Sequence, residues 1–369
     1  MTKTLWIGTR KGAFALRQGL KKSAWRLAGP QFLGHIVHHI VQDPREPRRL
    51  VVAAKTGHLG PTVYTSLNRG RNWQEAKSPP AFRKAREGET ARAVERVFWL
   101  SAGHPSEPGV WYAGTAPAGL FRSEDHGVHW QPVAGFNEHA MFSKWAAGFR
   151  TPDGELLHSI CIDPRDARHI YLAISIGGVF ESVDSGADWA PLNQGVAAEF
   201  LPDADAEYGH DPHCLIVHPQ QPDRLYQQNH CGIYRLDRPA QRWIRIGDKM
   251  PKRIGDIGFP IVAHPRDADC VYVIPMDGSK VWPRTAVGGK PAVYRSYNAG
   301  RSWQRLDKGL PGKHAWFTVL RQAMCIDNED FGLFFGTTQG EVWSSQNAGD
   351  SWRRLAQHLP EIYSVTHAL

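Results

Sequence analysis

Histidine is the residue type from which this sequence could build a reactive centre. The chain of 369 residues carries 18 of them, and an internal repeat sets several at equivalent points. Counting back six residues from the proline, or its equivalent, that ends the first strand of each repeat gives His38, Trp99, His158, His213, Phe259 and Gln322. Two residues before the glycine that opens each third strand stand Arg10, His58, Pro117, Ile176, His230, Met276 and Thr338. Three neutral imidazoles with an oxygen donor suit Zn, Mn, Fe or Ni. His38, His158, His213 and Gln322 are therefore the candidate ligands of a divalent metal ion. His58, His230, Arg10 and Glu95 are the candidates for acid–base and electrostatic work, since an imidazole titrates near neutrality. Lys11 is placed to hold an anion, and Trp99, Asp211 and Trp282 to line a substrate pocket, with Phe142, Trp145, Phe200 and Tyr208 as further wall residues. Any one of these histidines, taken alone, reads as a core residue satisfied by neighbouring carbonyls. Together they weaken that reading, because unpaired polar groups at matched buried positions cost about 1–3 kcal/mol each.

The elements that must position these residues are short strands. The pattern Ser-x-Asp/Asn-x-Gly-x-x-Trp recurs at Ser66–Trp73, Ser123–Trp130, Ser182–Trp189, Ser296–Trp303 and Ser345–Trp352. In it the Asp or Asn side chain accepts backbone N–H bonds, Gly supplies a positive φ, and Trp starts the next strand with its ring over the turn. Two degenerate copies, Arg235-Leu-Asp237 leading to Trp243 and the segment ending at Trp25, complete the count. The seven tryptophans at 25, 73, 130, 189, 243, 303 and 352 are 48 to 60 residues apart, the length of one four-stranded blade with its loops. First strands end in turns such as Asp43-Pro44, Asp163-Pro164, His218-Pro219 and His264-Pro265. Third strands open at Gly12, Gly60, Gly119, Gly178, Gly232, Gly278 and Gly340.

The N-terminal repeat lacks an innermost strand, and the tail Ile362–Leu369 can supply it, which removes open sheet edges. The expected fold is all-β: one seven-bladed β-propeller spanning 1–369. Its blades cover about 3–28 plus 362–369, 34–76, 94–133, 155–192, 211–247, 256–307 and 317–357. Long connections at Lys77–Ala93, Ala134–Gly154, Asn193–His210 and Ser279–Pro291 are expected to rim the histidine face, since long irregular loops are uncommon unless functional.

The recurrent turn resembles the Asp-box of the BNR-repeat propellers, a group that includes sialidases, sortilin-type receptors and photosystem assembly factors. The resemblance runs over the whole chain and implies the propeller fold; the box itself is structural in that family. It does not extend to sialidase chemistry: no Arg-Ile-Pro occurs, and histidines stand where arginines would hold a carboxylate. In ligand types the polar ring is similar to that of oligogalacturonate lyase, a cytoplasmic propeller with a metal held by three His and one Gln. The implied function is a metal-dependent lyase or hydrolase acting on a small polar substrate of the carbohydrate or acidic class. The alternative is a non-catalytic ligand-binding or assembly propeller.

Composition bounds the partners. The net charge is +8, but Lys and Arg are scattered apart from Arg83, Lys84, Arg86 and Arg92, so a solvated surface is expected rather than a nucleic-acid partner. No apolar run approaches the roughly 18 residues of a membrane span, and the start at Met1 reads as a strand rather than a leader. Five cysteines without a framework spacing suggest free thiols in a reducing compartment, placing the protein in the cytoplasm. A monomer or small homo-oligomer is expected.

Overall fold

In a computed structural model the chain forms seven four-stranded antiparallel sheets arranged as a propeller. Residues 3–19, 24–88, 90–142, 154–203, 206–278, 281 and 283–368 are described below. The first blade, residues 36–75, shows how composition sets strand position. Its second strand, Leu50–Thr56, is covered on both faces by neighbouring sheets, and so reads as a continuous apolar run that is buried from Leu50 to Ala54. Its outermost strand is two exposed polar residues, Gln74–Glu75. Cores lie between blades: Val51, Ala53 and Val63 of the first pack against Val97, Leu100, Trp111 and Phe121 of the second. Among the described residues no helix is long and apolar enough to cross a membrane.

Both chain ends share the closing blade. Ile362–Ala368 is its innermost strand and pairs with Thr4–Thr9, Ile7 opposite Val365 and Gly8 opposite Ser364. Lys3 adds an ion pair to buried Asp327 of the sixth blade, so the seam is fixed from both sides.

The five recurrent turns share one hydrogen-bond pattern. In the first, Ser66 Oγ–H donates to Asn68 Oδ1 (3.0 Å), and the N–H groups of Gly70 and Asn72 donate to Ser66 Oγ and Asn68 Oδ1, both at 2.9 Å. Asp125, Asp184, Asn298 and Asn347 repeat it. Two consecutive residues are left-handed, not glycine alone: Arg69 at φ 59° and Gly70 at 76°. The indole N–H closes the turn at Trp130 and Trp189 by donating to the carbonyls of Gly127 and Gly186, whereas Trp73 donates to Gln31. Asp125→Ala and Asp184→Ala are each expected to lower stability by about 1–2 kcal/mol, through loss of these N–H acceptors. Denaturant melts will check this, and activity per folded molecule should not change.

The expected third-strand glycines open or immediately precede their strands in most blades. Blade five differs: its third strand is Val293–Ser296, well beyond Gly278, because an irregular loop intervenes.

Candidate functional site

The innermost strands are not regular. Register shifts interrupt their pairing between Val37 and His39, Val97 and Trp99, His158 and Cys161, Pro212 and Cys214, and Gly258 and Ile261. A β-bulge leaves a residue unpaired and turns its side chain out of the alternation. At this level His38 lies between Phe98 (6.4 Å between ring centroids) and Tyr363 (5.3 Å), and His213 lies against Phe259 (4.8 Å). Arg321, in the turn before the sixth inner strand, reaches across the channel. Its guanidinium sits 5.8 Å from the Phe98 ring and 4.9 Å from that of Phe259, and donates to Ser175 Oγ at 3.0 Å.

Beside it three candidate ligand groups converge. One atom each from Asp211, His213 and His230 lie within 4.8 Å of one another. Asp211 and His213 flank Pro212 at the start of the fourth inner strand, and His230 comes from the turn between the second and third strands of that blade. Nδ1 of His213 donates to the Gly258 carbonyl at 2.6 Å, so in the neutral ring the lone pair is on Nε2. That lone pair points at Asp211 Oδ2, 3.4 Å away. His230 Nδ1 is 3.5 Å from the same oxygen and, like Asp211 Oδ1, is buried without a hydrogen-bond partner among the described residues. An imidazolium at His213, an Nδ1–H on His230 or a bound cation would each satisfy this carboxylate, and the three groups are close enough to share one ion.

The protonation states agree with this arrangement. Burial drives His213 below the ordinary imidazole range, against the opposing pull of the Asp211 carboxylate. Burial alone would raise the Asp211 carboxyl, but His213, His230 and Arg321 together hold it well below the usual range. Burial also lowers Arg284, partly offset by Asp211 and Asp277, which marks a second guanidinium near the carboxylate. Phe200 from the 193–210 connection packs edge-on to His230 at 5.5 Å.

Several sequence candidates fall elsewhere. His158 is fully buried with both nitrogens engaged, Nδ1 with Ser159 Oγ (2.8 Å) and Nε2 with the Pro212 carbonyl (3.0 Å). It is no ligand; it braces the peptide between Asp211 and His213. Gln322 donates its amide N–H to the Phe98 carbonyl at 2.7 Å, which ties it to the second inner strand and leaves its amide oxygen as the only group that could ligate. His38 lies outside the convergent group, among Phe98 and Tyr363. Trp99 packs on His39 (5.0 Å) and His158 (6.3 Å) within the blade interface rather than lining a pocket. Arg10, Lys11, His58 and Glu95 are exposed on their turns and take no part in the convergent group. Phe142 packs on Phe136, and Tyr208 stacks on Phe180. Trp145 and Trp282 lie outside the described residues. Spacing marks Phe259 as a ring position, but nothing in residue type marks Arg321, Arg284 or Phe98, and the bulge between Val97 and Trp99 that turns Phe98 toward His38 leaves no trace in spacing.

His38 and His39 supply a pH test. Burial lowers both to about 3, with Arg96 and Lys55 adding to it at His38. A folded pKa below the unfolded value means stability is full above about 6.5 and is lost as pH falls toward 3. Each imidazole then contributes a slope of about 1.4 kcal/mol per pH unit. Urea melts of His39→Gln between pH 7 and 4 should show a shallower loss than the parent; an unchanged slope would contradict the assignment.

No family model matches the chain. Over 305 residues it is 21% identical to an oligoxyloglucan-reducing end-specific xyloglucanase of Emericella nidulans, spanning 72% of this chain and 33% of that protein. Among solved structures it is similar to a GH74 xyloglucanase from Xanthomonas campestris, with TM-score 0.66, 21% identity, and 94% of this chain against 52% of that one. It is also similar to YCF48 from Cyanidioschyzon merolae, with TM-score 0.57, 13% identity, and coverage of 91% and 89%. The chain thus spans about a third of the curated relative and about half of the xyloglucanase structure. At these identities the likeness establishes the seven-bladed propeller.

Proposed function

We propose that this chain is a metal-dependent lyase or hydrolase acting on a small acidic carbohydrate at the channel mouth, with Asp211, His213 and His230 as the metal ligands. The observation that carries this is the buried Asp211 carboxylate, with one oxygen unsatisfied, facing an imidazole whose lone pair is fixed toward it by Gly258. Two imidazoles and a carboxylate are a ligand set used by Zn, Mn, Fe and Ni. The His213 bond to a backbone carbonyl is the outer-shell support such ligands need. A divalent ion there would polarise a substrate carboxylate or carbonyl, or lower the pKa of a bound water.

The acidic class follows from charge. One carboxylate beside a divalent ion, Arg321 and Arg284 leaves a surplus of positive charge, which an anionic substrate group would balance. The xyloglucanase names of the relatives support a carbohydrate and favour hydrolysis over elimination. The five turns with a single hydrogen-bond pattern support membership of the Asp-box propellers, and the free cysteines support a cytoplasmic location.

The test is a panel of uronate-containing and neutral xyloglucan oligosaccharides, assayed with Zn or Mn and with a chelator. Cleavage of the acidic set, lost with chelator and restored by metal, is the expected outcome. Cleavage of neutral oligosaccharides indifferent to chelator would replace this reading with a metal-free glycoside hydrolase.

A further inference from the structure

Away from the channel, a hollow of about 530 Å³ lies between the closing blade and the first blade, lined by Arg17, Arg48, Arg69, Arg71, Asn68 and Trp6 among others. No aspartate or glutamate lines it. The four arginines are far apart in sequence and come from three different places. Arg17 is on the strand Gly12–Gln18, Arg48 on the turn leading to Leu50, and Arg69 and Arg71 on the Ser66–Trp73 turn. All four are exposed. Among the described residues, none of their guanidinium groups makes an ion pair, whereas Arg295 and Arg235 at the matching station do.

The repeat shows what these arginines lack. Arg295 in blade five pairs across its sheet with Gln304, the residue after Trp303, and its guanidinium binds Asp350 in the sixth-blade turn at 3.0 Å. Arg17 holds the same station, opposite Arg26, the residue after Trp25. Asp350 follows Gly349 as Arg71 follows Gly70. Where that seam sets an arginine beside an aspartate, this seam has arginine at both stations; blade four has the same pair of residue types in Arg235 and Arg301, but there Arg235 is paired with Asp237. The Asp/Asn position of the turn is also neutral here. Asn68 supplies an amide oxygen, already accepting the N–H groups of Arg71 (3.1 Å) and Asn72 (2.9 Å).

We infer that this hollow binds the phosphate group of a small molecule, which takes the place of the missing carboxylate between the two blades. Guanidinium forks match phosphate oxygens in pairs, and four arginines lining one hollow without an acidic residue are better suited to a dianion than to a carboxylate. The volume fits a phosphomonoester of metabolite size. The buried Trp6 offers the carbon skeleton an apolar floor. Because the site bridges the seam where the ring closes, occupancy should stabilise the whole propeller by mass action.

The experiment is calorimetric and thermal titration of the full chain with inorganic phosphate and with glucose 6-phosphate, against chloride at matched ionic strength. One site per chain is expected, tighter for the monoester, with a rise in melting temperature that chloride does not give. The folded double variant Arg48→Gln/Arg71→Gln should bind at least about tenfold more weakly, while its zinc titration stays that of the parent. A tighter site for inorganic phosphate than for the monoester would make free phosphate the ligand. Equal affinity in the double variant, equal stabilisation by chloride, or binding of a single-stranded oligonucleotide but neither small phosphate would overturn the inference.

Discussion

Removing residues 360–369 is expected to cost on the order of 4–6 kcal/mol, enough to unfold much of the chain at moderate temperature. The deleted strand carries Ile362 and Val365, 0% and 2% exposed. Burying such side chains is worth about 1.5–3 kcal/mol each. The strand also pairs along Thr4–Thr9, and Thr366 Oγ–H donates to the Ile40 carbonyl in the first blade. Without it the inner edge of Thr4–Thr9 lies open, and open edges invite association. The truncated protein should melt at a much lower temperature or aggregate. An unchanged melting temperature would mean that the closing blade stands without its inner strand.

The second large effect is at the channel. His213→Ala should abolish tight binding of Zn or Mn, because it removes one of three ligands and the only one whose tautomer the structure fixes. The metal-free variant should remain folded, since the blades are held chiefly by apolar inter-sheet cores. His158→Ala is the informative contrast. His158 braces the Pro212 carbonyl but offers no ligand atom, so its loss should weaken metal binding and also lower stability. Equal loss of binding with no loss of stability in both variants would return His158 to the ligand set.

The contrast between these two histidines shows what could be read from the residues. The propeller was legible because each Ser-x-Asp/Asn-x-Gly-x-x-Trp turn is a local hydrogen-bonded device whose residues are fixed by backbone geometry, and because the ends of the chain each lack what the other supplies. The face of the site was legible too, as was the parity that set Asp211 near His213. The ring of matched positions was legible only in part. A count from the end of a strand assumes unbroken alternation, and the inner strands are bulged. The count therefore met the channel at His38, His213 and Phe259, but gave Trp99 in place of Phe98 and, at His158, a residue turned into the blade interface. In the sixth blade the inner strand is only Met324–Ile326, so the count gave Gln322 while its neighbour Arg321 crosses the channel. That residue's role depends on Phe98, Phe259 and Ser175 from three other blades, and no local pattern encodes such a meeting.

Convergence of Asp211, His213 and His230 on one ion can be read by X-ray absorption at the zinc edge of protein loaded with one equivalent. Two imidazole nitrogens and carboxylate oxygen at about 2.0–2.2 Å are expected, with the imidazole signal falling by half in His230→Ala and the ion released as pH drops through the imidazole range. An all-oxygen shell, an imidazole signal unaltered by His213→Ala and His230→Ala, or failure to retain the ion at neutral pH would contradict it.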